Sequence, residues 1–120
     1  MEKKTLVIGA SDNPSRYSYM AIQRLRKHSH PVEAIGRKNT EVAGVKIGKD
    51  KVPFSGIDTV TLYLNPLNQK EYYDYILSLK PKRIIFNPGA ENDELSELAK
   101  ASNIQTLEAC TLVMLTTGQY

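Results

Sequence analysis

The chain has no tryptophan and a single cysteine, Cys110. One thiol forms no internal disulfide and excludes metal sites built from cysteine pairs. Histidine is scarce as well: His28 and His30 are the only two. His28 falls near the end of a predicted helix and His30 just after it, far from the predicted cleft, which speaks against acid–base catalysis. No Ser–His–carboxylate set, no P-loop and no metal-ligand spacing occurs, so the catalytic and metal inventories are empty. Long apolar runs are missing too. The run ending at Gly9-Ala10 is too short for a signal-peptide core or a membrane span, and a cytoplasmic protein is expected, with no membrane partner. Charge of one sign is not concentrated anywhere: 16 Lys+Arg against 13 Asp+Glu leave a net +3, in small scattered groups. That balance mildly favours an anionic ligand. Without an aromatic-studded basic face it does not indicate nucleic acid.

What is present is an alternation. In 120 residues, enough for one domain (1–120), apolar β-branched runs alternate with helical patterns. Residues 5–8 read as a buried strand. Residues 15–29 read as a helix with Tyr17, Ala21, Leu25 and His28 near one face and Ile22 beside them; Ser11, Asp12, Asn13 and Ser15 are its candidate caps. Residues 32–35, 59–64, 83–86 and 104–107 read as further strands. Val45-Lys46-Ile47 is a candidate short strand in a stretch with no convincing helix. Asn65-Pro66 starts a helix with an apolar stripe at Tyr72, Tyr73, Ile76, Leu77 and Leu79. Asn92 caps a helix reaching Ala101, and residues 110–117 form a short closing one. The pattern predicts an α/β, Rossmann-like doubly wound sheet of about five mainly parallel strands, with helices on both faces.

Ligands of such sheets bind beyond the carboxyl ends of the strands, near the point where strand order reverses. Here that rule selects residues 9–16, 36–38, 65–66, 87–90 and 108–111. The first of these lies in "LVIGASDNPSRYSYM", which begins like a dinucleotide-binding turn. It then lacks the second and third glycines that let a pyrophosphate approach the backbone. Side-chain donors must compensate, and Ser11, Asn13, Ser15, Ser18 and Arg16 are available at the positive end of a helix. Helix capping alone also accounts for the serines and Asn13. After the second strand, where NAD sites carry an acid for the ribose hydroxyls, the chain reads Gly36-Arg37-Lys38-Asn39. Two cations suit a phosphorylated ribose, either the 2′-phosphate of NADP or the 3′-phosphate of coenzyme A.

The segments "VIGASDNPSRYS", "VAGVKI", "NPGAEND" and "EACTLVML", in this order and spacing, resemble a family of small stand-alone CoA-binding proteins. That family is similar to the CoA-binding domain of the succinyl-CoA synthetase alpha subunit. The resemblance covers nearly the whole chain. It implies binding of coenzyme A or an acyl-CoA, without a settled reaction. It further implies that Gly9, Ala10, Ser11, Asn13, Pro14, Arg16 and Ser18 form the diphosphate loop, with Gly36, Arg37 and Lys38 at the adenosine end. Asn65, Pro66, Asn87, Pro88 and Gly89 would line the rest of the cleft. Cys110 matches a cysteine such proteins often carry, and a mixed disulfide with the CoA thiol is one expectation for it; a small buried thiol is the other. Relatives tend to show Asn-Pro at Gly36-Arg37, glutamine at Asn87 and arginine at Ala109. Two alternatives stand beside CoA binding: an NADP-dependent oxidoreductase, and a nucleotide-sensing interaction module. A homo-oligomer or a protein partner is compatible with either.

Overall fold

β-Branched and aliphatic residues dominate the strand segments because both of their faces are covered. The computed structural model describes residues 2–120. It contains β1 (Thr5–Ala10), α1 (Tyr17–Lys27), β2 (Val32–Gly36), β3 (Thr40–Val42), β4 (Val45–Gly48) and β5 (Thr59–Leu62). These are followed by α2 (Pro66–Gln69), a 3-10 turn (Lys70–Tyr72), α3 (Tyr73–Leu79), β6 (Arg83–Phe86), α4 (Asp93–Ala101), β7 (Gln105–Glu108) and α5 (Thr111–Thr116). The seven strands form one sheet in the order β3-β4-β2-β1-β5-β6-β7. Every neighbouring pair is parallel except β3–β4. From β1 the chain builds outward on one side and then crosses back to build on the other. The order therefore reverses at β1, beside β5.

Alternate residues of each strand feed two cores. Leu6, Ile8, Val60, Leu62, Ile84 and Phe86 pack with Ile76, Leu95 and Ala99 of α3 and α4. On the other face Val7, Ala34 and Ile47 pack with Ile22, Leu25 and Leu115 of α1 and α5. No described helix is long and apolar enough to cross a membrane.

Four details differ from the sequence expectation. The sheet has seven strands rather than about five, because a hairpin extends the β2 edge. Its turn, Ala43-Gly44, holds both residues at positive φ (50° and 78°), the conformation a two-residue hairpin needs. The buried face of α1 is Ser18, Ala21, Ile22 and Leu25, and Tyr17 is 69% exposed. Spacings of 3, 4 and 7 from Ser18 keep one face; Tyr17 lies at its edge in the first turn, and His28 is the C-cap beyond the last turn. The candidate caps do not cap: α1 begins after Arg16, with no side-chain cap. The second helical segment is broken at Gln69, a wholly buried amide, into α2, the 3-10 turn and α3. Asn65 and Asn92 do cap: the Asn65 carboxamide accepts from the amide of Asn68, and that of Asn92 from Glu94 and Leu95.

The amino ends of the strands carry a polar layer. Thr5, Thr59 and Arg83 are register partners on three adjacent strands. Arg83 is 8% exposed; its Nε donates to Thr59 Oγ1 at 2.7 Å, and its guanidinium lies 4.4 Å from the centre of the Tyr120 ring. One of its Nη atoms is buried without a partner. The Tyr120 hydroxyl hydrogen-bonds Thr5, and the Tyr120 ring packs against His30. The Lys3 amide donates to His30 Nδ1 at 2.9 Å, which requires that nitrogen unprotonated. Burial, reinforced by the neighbouring charges of His28, Lys3 and Arg83, holds His30 below its ordinary pKa. This histidine supports the fold at the end of the sheet opposite the cleft described next.

Candidate functional site

At the carboxyl ends of β1, β2, β5 and β6 the connecting loops enclose a cleft of about 770 Å³. It straddles β1, where strand order reverses. Two glycines allow this closure. Gly9 has φ +91°, and a Cβ there would lie 2.9 Å from the Tyr63 carbonyl. A Cβ on Gly36 would lie 2.4 Å from the Ala10 carbonyl oxygen. The ends of β1, β2 and β5 thus approach too closely for any side chain.

The loop after β1 is knit by its own polar residues. Ser11 Oγ accepts from the Asn13 amide at 3.0 Å. Asn13 Oδ1 accepts from the Ser15 amide at 3.0 Å and the Ser15 hydroxyl at 2.8 Å. Short polar side chains bonding the backbone two residues on are turn-formers. Because they serve the loop, no side chain answers the first amides of α1, and Arg16, Tyr17 and Ser18 of that end line the cleft. An uncapped helix start with an arginine beside it is an anion-binding arrangement.

The walls include Gly9, Ala10, Ser11, Arg16, Ser18, Gly36, Arg37, Lys38, Asn65, Pro88 and Gly89, all singled out from the sequence. Asn13, Pro14, Pro66, Asn87 and Cys110 are not among the lining residues. Asn13 shapes the loop behind the wall, and Pro66 opens α2. Asn87 is 2% exposed and wholly engaged. Its Nδ2 donates to Thr61 Oγ1 at 2.7 Å and the Leu62 carbonyl at 2.9 Å, and its Oδ1 accepts from the Thr111 amide at 2.9 Å. It joins β5, β6 and the start of α5 beneath the cleft. Cys110 is a half-buried free thiol at the N-cap of α5.

Among the further wall residues are Asp12, which the sequence offered only as a helix cap, Thr40 and Tyr63. Asp12 Oδ2 accepts from Thr40 Oγ1 at 2.9 Å and lies 3.2 Å from Lys38 Nζ. The Thr40 hydrogen bond and then Lys38 hold its carboxyl below the usual carboxylate range. Tyr63, just after β5, is another wall residue; its side chain packs against the core on the α1 and α5 face, and its hydroxyl is buried without a partner. That burial pushes the phenol above its usual range. A carboxylate after β1 gives no sequence signal for reaching Thr40, 28 residues away; only the β1–β2 pairing brings them together.

Wholly buried Gln69 fastens the remaining walls. Its Nε2 donates to the Leu64 and Ala90 carbonyls at 2.8 Å each, and its Oε1 accepts from Asn92 Nδ2 at 2.9 Å. One amide thus ties the loop after β5 to the loop after β6. Among the described residues no group of three or more His, Cys, Asp or Glu could hold a metal ion. The site offers cations, backbone amides and hydroxyls, a set suited to holding a phosphorylated ligand.

Known structures share this fold. One, described as a crystal structure of an uncharacterized protein, is 50% identical, superposes with a TM-score of 0.97, and is matched over 100% of this chain and 99% of that one. A hypothetical protein from Pyrococcus horikoshii OT3 is 24% identical (TM-score 0.86, 96% and 82% covered). A Thermus thermophilus protein described as cell-free ID.343 is 18% identical (TM-score 0.85, 98% and 90% covered). The last two establish the fold alone. No curated protein matches the chain. The family model described as CoA binding domain matches residues 3–116, from β1 through α5 and every loop around the cleft; the chain belongs to the CoA binding domain family.

Proposed function

We propose that this chain binds coenzyme A or an acyl-CoA in the cleft at the carboxyl ends of β1, β2 and β5, without catalysis of its own. The diphosphate lies against the loop after β1 and the start of α1, within reach of Arg16. The 3′-phosphate lies at the turn after β2, where Arg37 and Lys38 stand. One observation carries this reading: an uncapped helix start and the Arg37-Lys38 turn line one cleft, in a chain of the CoA binding domain family. Arg37 has no carboxylate within ion-pair distance among the described residues and is the free fork for a phosphate monoester.

The test is thermal unfolding with CoA, acetyl-CoA, dephospho-CoA, NADP and NAD. Ligand at a hundredfold its Kd stabilises by about 2.7 kcal/mol. For a domain of this length that raises Tm by about 10 °C. CoA and acetyl-CoA should stabilise most, followed by dephospho-CoA. Equal shifts from CoA and dephospho-CoA would remove the role given to Arg37 and Lys38. A larger shift from NADP than from CoA would favour an oxidoreductase cofactor instead.

A further inference from the structure

The two cations after β2 are not equivalent. Arg37 has no acidic partner among the described residues, whereas Lys38 is paired with Asp12 across the mouth of the cleft. The same Asp12 oxygen accepts from Thr40, so the carboxylate is held in place by two groups of the opposite loop. Asp12, Arg37, Lys38 and Thr40 all line the cleft. NAD sites place an acid after the second strand to accept from ribose hydroxyls. Here a carboxylate reaches that region from the first loop and neutralises one of the two cations that would receive a phosphate. An anionic group on the ligand must therefore compete with Asp12 for Lys38, and then lie beside a negative charge.

We propose that Asp12 is a specificity-determining residue of the cleft, which opposes a phosphorylated ribose by occupying Lys38 and so restrains the preference for the phosphorylated ligand over its dephosphorylated form. The inference rests on the cofactor reading above. It is separate from the diphosphate contacts, which lie toward α1. In this arrangement Arg37 supplies the attraction for the ribose phosphate. Lys38 contributes only when it exchanges its carboxylate for the ligand, and the exchange leaves Asp12 with Thr40 alone.

The test is calorimetric titration of CoA and dephospho-CoA into the wild type, Asp12→Asn, Lys38→Ala and the double variant. The wild type should favour CoA only modestly. Asp12→Asn should tighten CoA and leave dephospho-CoA unchanged, raising the ratio of their Kd values about two- to fivefold, the upper part of the range for one exposed ion pair. Asp12→Ala, which removes the charge without adding an amide donor, should raise the ratio too. A loss of loop order would weaken both ligands together and leave the ratio where it was. In the Lys38→Ala background the gain from Asp12→Asn should vanish. An unchanged or lowered ratio in both Asp12 variants, or a gain that persists without Lys38, overturns the inference alone. Failure of the wild type to bind either nucleotide overturns the cofactor reading, and this inference with it.

Discussion

Asn87 shows how a residue next to a ligand cleft can belong wholly to the framework. All three of its hydrogen bonds join buried groups on β5 and at the start of α5. In Asn87→Leu the Thr111 amide would lose its acceptor inside the protein, where water cannot replace it. An orphaned buried amide costs about 1–3 kcal/mol, so we expect a loss near the top of that range. Urea unfolding followed by circular dichroism measures it; a loss within error of zero would mean that Thr111 finds another acceptor. At this scale the sequence was partly legible. Gly9 near the end of β1, arginine and serine at the helix start and the Arg37-Lys38 pair all mark the cleft, because their chemistry is local. Asn87 and Asp12 were not legible in the same way, since their partners are 24 to 28 residues away. A polar side chain near a strand end reads alike whether it faces a ligand or a neighbouring strand.

The tail after α5 acts as a strap over an element of buried charge. Arg83 has Thr59 and the Tyr120 ring, and no carboxylate among the described residues. Tyr120 is half-buried, so removing the ring in Tyr120→Ala should cost about 2–3 kcal/mol, below the range for a fully buried aromatic. Part of that loss comes from leaving a guanidinium buried with nothing over it. Pairing Tyr120→Ala with Arg83→Met should therefore cost less than the two single changes added together, as read by urea unfolding; strict additivity would show that ring and guanidinium are not coupled. Elements were legible where a cap or an apolar period announces them: Asn65-Pro66 for α2, Asn92 for α4, and β-branched runs for the parallel strands. The β3–β4 hairpin was only half legible. Its alternation of buried Val42, Val45 and Ile47 with exposed Glu41 and Lys46 spans too few residues to stand out. The break at Gln69 left no mark, because an amide turned inward looks like any polar helix residue.

At the scale of the molecule, the alternation of strands and helices was enough to predict a doubly wound parallel sheet. The rule that ligands sit where strand order reverses points to the end of the sheet where the cleft lies. The strand order itself was not legible: nothing local states that β5 returns to lie beside β1. That return creates the crevice between Gly9 and Tyr63, while the pairing of β1 with β2 lets Asp12 meet Lys38 and Thr40. The same folding-over draws phenols partly out of water, because several tyrosines pack against the edges of the two cores. Tyr63, Tyr72, Tyr73, Tyr75 and Tyr120 are all held above the ordinary value of 10, burial being the largest cause at each, with Tyr75 pushed up to about 12. Above pH 10 the unfolded chain sheds phenolic protons that the folded chain keeps. The unfolded form then binds fewer protons, and stability falls as pH rises. Alkali should therefore weaken the fold, with part of the phenolate absorbance appearing only as helical dichroism is lost; all of it forming while the dichroism holds would show those five rings to be open to solvent.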